Sequence, residues 1–328
     1  MKKALITGVG GQDGSFLAEY LVSLGYEVWG TTRGSALIAY PNLREIAHLN
    51  INIIRMDLRD ELSVEAAIRK SQPDEIYNLG GQVFVPISWQ KPESTFDVNV
   101  NGLVRILKCV EKFNPKIRVY QASSSEMYGN VQKEEQRLTE RDQMHPVSPY
   151  GVSKLAAHEI ARVYRESGLY VCCGICFNHE SSRRGTEMVT RKITQHVARW
   201  VEGSSAVLKL GNPNARRDWG FAGDFVKAMH TMLQQPKADD YVIGTGESHS
   251  VQEFLEHALI AADIKVRGVD WNAPTDIRPN ELHCLTADYS KAKIMLGWQP
   301  ETSFEELVST MVHKDVARTQ KENFGCVV

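Results

Sequence analysis

The first half of the chain alternates short apolar runs with stretches whose apolar residues recur every three or four positions. Lys3–Thr7 is apolar and runs into a glycine-rich turn. Phe16, Leu17, Tyr20, Leu21 and Leu24 then recur at helical spacing, and Gly25 is placed to end that helix. Apolar runs predict further strands at residues 28–30, 51–55, 75–79, 118–122 and 169–177. Val98, Leu103, Val104 and Leu107 line one face of a helix predicted over 98–113, and another helix opens at Pro149-Tyr150. Repeated β-α units of this kind predict a parallel sheet with helices on both faces.

The second half is less regular. Residues 188–201 and 224–233 read as helices, and 206–210 and 241–243 as strands. Residues 211–220 read as a polar, arginine-bearing loop. Ser250 with Glu253, and Ser303 with Glu306, have the spacing of capping boxes that open two late helices. The expected fold is α/β: a Rossmann-type, doubly wound parallel sheet with a smaller mixed α/β substrate domain. Residues 1–176 plus about 212–236 are assigned to the first domain, and about 177–211 plus 237–328 to the second.

Composition narrows the classes. Over 328 residues, 42% hydrophobic and 24% charged is ordinary for a globular chain and excludes disorder. A net charge of -2 lacks the basic excess that a nucleic-acid binder needs. No apolar stretch approaches the roughly 18 residues of a membrane span. Lys2 and Lys3 are followed too soon by Gly8, Gly10 and Gly11 for a signal peptide. The chain therefore reads as cytoplasmic, with neither membrane nor nucleic-acid partners. Cys173 and Cys176 lie in an apolar strand and point to opposite faces; they read as reduced core thiols, and no metal site is expected.

Candidate chemistry begins with Gly8-x-x-Gly11-x-x-Gly14, placed between the first strand and the first helix. A dinucleotide pyrophosphate sits on such a helix N-terminus, and glycines let the backbone approach it. The second strand ends in Thr31-Thr32-Arg33-Gly34-Ser35, with no carboxylate to hold a free ribose hydroxyl. Arg33 and Ser35 suit a 2′-phosphate, which favours NADP. Asp57-Leu58 and the run Leu79-Gly80-Gly81-Gln82 end the third and fourth strands, where open α/β sheets bind ligands.

Tyr150 and Lys154 form a Tyr-x-x-x-Lys pair on one helix face. An ammonium near a phenol favours the phenolate, so Tyr150 is expected to act as a base on an alcohol. Ser123, Ser124, Ser125 and Glu126 follow the fifth strand. Hydride transfer alone needs no carboxylate there; loss of a carbon-bound proton followed by departure of water does.

These stretches resemble the extended short-chain dehydrogenase/reductases, and within them the GDP-mannose 4,6-dehydratase family. The resemblance runs from Ala4-Leu5-Ile6-Thr7-Gly8 to Gly297-Trp298. Its most specific parts are residues 120–129, Ser148-Pro149-Tyr150-Gly151-Val152-Ser153-Lys154, Phe177-Asn178-His179-Glu180-Ser181, Val189-Thr190-Arg191-Lys192, Arg217-Asp218-Trp219-Gly220 and Arg278-Pro279-x-Glu281. It implies that Tyr150 removes the sugar O4 proton as the C4 hydride passes to NADP, that Glu126 removes the C5 proton, that water leaves from C6 and that the hydride returns there. Ser124 would hydrogen-bond O4, with Lys154 beside Tyr150. The cofactor would touch Gly8, Gly11, Gln12, Asp13, Gly14, Arg33, Asp57, Leu58, Leu79, Gly80, Gln82, Tyr120, Tyr150, Lys154, His179 and Arg184. The GDP-linked substrate would meet Ser88, Ser124, Glu126, Asn178, Val189, Lys192, Arg217, Arg278 and Glu281; Lys192, Arg217 and Arg278 are cations suited to a diphosphate. Arg183, Arg191 and Arg216 read as solvated neighbours. The helices 98–113 and 150–167 resemble the pair through which the family dimerises, so a homodimer or homotetramer is expected.

The chain departs from the family pattern at Gly34, where a second arginine is usual, and at Val83, Pro86 and Ser182 near the substrate. Those positions leave room for another sugar, such as a GDP-heptose. A reductase or epimerase of a nucleotide sugar is the nearest alternative on the same scaffold. A noncatalytic NADP sensor is a third, disfavoured by the intact Tyr150–Lys154 pair.

Overall fold

The computed structural model describes residues 1–34, 40–131, 136–272, 282 and 284–323. Ser35, Arg278 and Glu281 lie outside the described residues. The apolar runs of the first half assemble one seven-stranded parallel sheet. Its spatial order is Asp240–Ile243, Val171–Cys176, Arg118–Ser124, Glu75–Asn78, Lys3–Thr7, Glu27–Thr32, Asn52–Arg55. Chain order reverses between Lys3–Thr7 and Glu75–Asn78, which opens a crevice at the carboxyl ends of the strands.

Helices cover both faces, as the β-α alternation predicts. On one face Leu17 and Leu21 of the helix Gln12–Ser23 pack with Phe225 and Met229 of the helix Ala222–Gln234. On the other, Leu103, Leu107 and Val110 of the helix Gly102–Phe113 pack with Ala157 and Ala161 of the helix Pro149–Glu166. Each large aliphatic side chain so buried contributes about 1.5–3 kcal/mol. Cys176 falls in the first of these clusters and Cys173 in the second, on opposite faces as expected.

The remaining strands are short. His249–Ser250, Arg216–Arg217, Cys284–Ala287 and Arg137–Leu138 form a second sheet. Trp219–Phe221 pairs with Asn178–Glu180, and Val269–Asp270 with Leu208–Lys209. A separate core of Ile193, Trp200, Trp219, Phe254, Phe304 and Met311 supports this half. Among the described residues no helix is long and apolar enough to cross a membrane.

Three expectations change. Residues 211–220 are not a plain loop: Arg216–Arg217 and Trp219–Phe221 are strands whose partners lie far along the chain. The helix predicted from Val98 begins as a π turn at Asp97–Asn101 before Gly102–Phe113. Asp240–Ile243 joins the large sheet, whereas the domain division placed it in the second domain; Tyr241, Val242 and Ile243 are buried beside Val171–Cys176.

Candidate active site

The glycine turn is shaped by close approaches. Gly8 has φ +69, and a Cβ there would lie 2.9 Å from Gly80 Cα. A Cβ on Gly14 would lie 2.5 Å from Gly8 O, so the helix start and the turn touch only because both are glycine. The helix Gln12–Ser23 begins at Gly11 with no side-chain cap, and its first-turn amides face the crevice. Twelve of the residues named above for a cofactor wall this groove: Gly8, Gly11, Gln12, Asp13, Gly14, Arg33, Asp57, Leu58, Leu79, Gly80, Gln82 and Arg184. Gln82 Oε1 is buried without a hydrogen-bond partner. An uncapped helix end, a cradle that any Cβ would fill and an orphaned buried acceptor together fit a dinucleotide.

Charges around the groove are fixed by neighbours. The Arg59 fork on Asp57 holds that carboxyl at about 2. Arg33 is exposed just past Glu27–Thr32, near enough to Asp57 to help lower that carboxyl's pKa. Four of the expected cofactor residues are not part of this wall: Tyr150 and Lys154, described below, and Tyr120 and His179. Tyr120 is 0% exposed in the core, its hydroxyl 3.4 Å from Cys176 Sγ. His179 stands behind Asp13, its Nε2 2.9 Å from Asp13 Oδ2 and its ring stacked on Phe225. Burial works against both charges, yet the mutual attraction prevails: Asp13 is held at about 2 and the His179 pKa is raised.

Tyr150 and Lys154 sit in the first turns of Pro149–Glu166. Pro149 suits the first helical position, and Ser148 Oγ caps the helix by accepting from Gly151 N at 3.0 Å. Gly151 admits the neighbouring turn, since a Cβ would fall 2.8 Å from Glu126 O. That turn, Ser125–Met127, is capped by Ser124 Oγ, which accepts from Glu126 N at 3.2 Å. Strand end, turn and helix start thus bring Ser124, Glu126 and Tyr150 together. The expected lowering of the phenol pKa is not what the structure shows. Burial pushes Tyr150 up to about 12; the Ser124 hydroxyl opposes this and the Glu126 charge adds to it. Lys154 Nζ lies 5.8 Å from the phenol ring centroid and donates to Ala122 O at 2.9 Å, and burial lowers its pKa to about 8.

A second cavity adjoins the first. Asn178, Val189, Lys192 and Arg217 line it with Phe84, Pro86, Glu180, Glu187, Asn212 and Trp219. Arg184 lines both cavities and interacts electrostatically with Tyr150. Ser88 does not reach the wall: it is 0% exposed, and its Oγ accepts from Tyr150 N at 3.1 Å, holding the helix start.

A sequence model of the family described as GDP-mannose 4,6 dehydratase matches residues 5–311. The chain belongs to the GDP-mannose 4,6-dehydratase family. It is 44% identical to a GDP-mannose 4,6 dehydratase of Arabidopsis thaliana over 98% of this chain and 91% of that one. A human GDP-mannose 4,6 dehydratase is 42% identical over 95% of this chain and 91% of its own. Among solved structures, a Thermus thermophilus UDP-glucose 4-epimerase in complex with NAD superposes with a TM-score of 0.85 at 26% identity, covering 95% of this chain and 98% of that one. A Bacillus anthracis dTDP-glucose 4,6-dehydratase in complex with NAD shares the fold with a TM-score of 0.83 at 23% identity, covering 98% of each chain.

Within this GDP-mannose 4,6-dehydratase scaffold, sequence reasoning missed Asn99. It is 4% exposed inside the π turn. Its Oδ1 accepts from Gln82 N at 2.9 Å, and its Nδ2 donates to Gln82 O at 3.1 Å and to Ser153 Oγ at 3.0 Å. A polar residue between Val98 and Val100 in an otherwise amphipathic run was the available signal. The arginines read as solvated are paired instead: Arg183 forks Glu19, Arg191 bonds Asp315 and Arg216 bonds Glu253.

Proposed function

We propose that the protein converts GDP-mannose to GDP-4-keto-6-deoxymannose, as a hydro-lyase that uses NADP without net consumption. The observation that carries the reading is the meeting of Tyr150, Ser124 and Glu126 beside Arg184, which borders both cavities. The glycine cradle and Gln82 hold the dinucleotide; the exposed Arg33 at the rim of the groove favours the 2′-phosphate. Lys192 and Arg217 hold the diphosphate. When bound, the nicotinamide supplies the acceptor for the C4 hydride and gives it back at C6. Tyr150 takes the O4 proton, and Ser124 donates a hydrogen bond to O4. The resulting ketone acidifies the C5 proton, which Glu126 removes and passes to the C6 hydroxyl as it leaves as water; when the hydride reaches C6, C5 regains a proton from solvent through Glu126, balancing the O4 proton that Tyr150 releases. Lys154 adds positive charge beneath the phenol and favours its ionised form.

The large sheet, including Asp240–Ile243, serves the cofactor in this reading, and the smaller sheets serve the sugar nucleotide. The exposed Val152 and Val163 on the helix Pro149–Glu166 fit a homodimer or homotetramer packed through that helix. The test is incubation with GDP-mannose and catalytic NADP, with no added reductant, followed by mass spectrometry. Loss of one water with no NADPH accumulating is the expected result. Turnover only with stoichiometric NADPH makes the protein a reductase; turnover only of a GDP-heptose moves the substrate.

A further inference from the structure

Tyr150, Lys154 and His158 recur every fourth residue, so one face of the helix Pro149–Glu166 presents all three to the sheet. All are buried. Consecutive residues of the strand Arg118–Ser124 meet them. Lys154 Nζ donates to Ala122 O at 2.9 Å, His158 Nδ1 lies 3.0 Å from Ser123 Oγ, and the Ser124 hydroxyl is near enough to the Tyr150 phenol to oppose the rise of its pKa.

The far side of the His158 ring faces Asp240, Nε2 lying 3.7 Å from Oδ2. Arg165, two turns further along the same helix, forks that carboxylate with two bonds of 2.7 Å. Cys173 completes a group with His158 and Asp240 whose polar atoms lie within 4.8 Å of one another. The guanidinium already supplies the positive charge in this group, so it is an ion-paired cluster and not a cation site. Burial lowers the His158 pKa and keeps the ring neutral. With Nε2–H turned toward Asp240, Nδ1 is left to accept from the Ser123 hydroxyl.

We infer that His158 is a positioning residue for the reaction: with Ser123 it sets the register of the strand that carries Ser124 against the helix that carries Tyr150 and Lys154. The inference rests on the roles proposed above for Tyr150 and Ser124. Two groups that must meet one substrate oxygen sit on different elements. Asp240, Arg165, His158 and Ser123 tie two strands and the helix together one layer below that meeting point.

Steady-state kinetics with GDP-mannose and saturating NADP test it, in His158→Leu, His158→Asn, Ser123→Ala and the double variant His158→Leu/Ser123→Ala. Asparagine places an amide oxygen near the Nδ1 position, so it can still accept from Ser123. His158→Leu and Ser123→Ala are each expected to lower kcat about tenfold while KM moves less than about twofold, since misplacement acts on the transition state. The double variant is expected to be no worse than the poorer single one, because both remove one bond. His158→Asn is expected to recover most of the loss. Parental kcat in Ser123→Ala, losses that multiply in the double variant, or no recovery with asparagine overturns the inference. If His158→Leu does not fold, Ser123→Ala and His158→Asn decide it. Tyr150→Phe, run in parallel, separates the two readings. Its retaining parental turnover sinks the site assignment and the inference with it; an inactive Tyr150→Phe beside a parental Ser123→Ala sinks the inference alone.

Discussion

Lys154 shows how a single residue can serve the site at the expense of the fold. The residue is 6% exposed, and its ammonium donates to the carbonyl of Ala122. Lowering its pKa from 10.5 to about 8 amounts to about 3 kcal/mol against the folded chain at neutral pH. The sign follows from proton binding. Between pH 8 and about 10.4 the unfolded chain holds the Lys154 proton and the folded chain does not, so this group makes the protein more stable as pH rises. Lys154→Met keeps the volume and removes the charge, losing one hydrogen bond of about 1 kcal/mol. The variant, with no nucleotide added, is expected to melt a few degrees above the parent at pH 7 and to lose that advantage by pH 10. It should be nearly inactive throughout. Thermal melts at four or five pH values check this, and a variant that melts lower at pH 7 refutes it.

At the scale of elements, Asn99 ties the cofactor groove to the helix Pro149–Glu166. The π turn at Asp97–Asn101 widens the helix there and turns its side chain inward. Three bonds from one amide hold both backbone groups of Gln82 and the hydroxyl of Ser153. Asn99→Leu leaves both backbone groups of Gln82 without these partners, at about 1–3 kcal/mol for each one that stays buried, while the Ser153 hydroxyl keeps its bond to Tyr150 O. The expected result is weaker NADP binding, at least tenfold by nucleotide titration, together with lower stability. Unchanged affinity would separate Asn99 from the groove. The C-terminal helix Phe304–Asn323 carries a comparable bond: Asp315, 2% exposed, accepts from both Arg191 and Thr194. Asp315→Leu strands a buried guanidinium and is expected to cost about 3–5 kcal/mol in urea unfolding.

These two residues also mark where sequence reasoning stops. The large sheet was legible because its strands are apolar runs bounded by glycine and polar turns. The glycine turn, the Tyr150–Lys154 pair and the capping boxes at Ser250 and Ser303 were legible because their partners lie within a few residues. The strand Arg216–Arg217 was not, since two residues carry no periodicity and their pairing to Ser250 and Cys284 is long-range. Arg191 looked solvated beside Lys192 because adjacent helix positions point apart; only the distant Asp315 reveals which one turns inward. For the same reason the raised pKa of Tyr150 was missed, burial being a property of the packed molecule.

At the scale of the whole molecule, the two cavities can cooperate only if the large sheet and the small ones keep a fixed separation. Asp218 sits at that junction, 0% exposed, beside Arg217 of the second cavity. One carboxylate oxygen accepts from Thr245 N at 2.8 Å and Thr245 Oγ1 at 2.7 Å; the other accepts from Gly246 N at 2.9 Å and Ala287 N at 3.0 Å. Thr245 and Gly246 follow the strand Asp240–Ile243 of the large sheet, and Ala287 ends the strand Cys284–Ala287 of the second sheet. All four partners donate, so only an acceptor on both sides satisfies them. Asp218→Asn puts an amide N–H₂ against two of these donors and leaves them unsatisfied, at about 1–3 kcal/mol each. The variant is expected to lose about 2–5 kcal/mol in urea unfolding. Below the transition KM for GDP-mannose should rise severalfold, because Arg217 moves with its neighbour. NADP affinity should change little, since the glycine turn and Asn99 lie on the other side of the crevice. An Asp218→Asn enzyme whose NADP affinity falls in step with its affinity for the sugar nucleotide would show the junction holding both halves of the site instead of one.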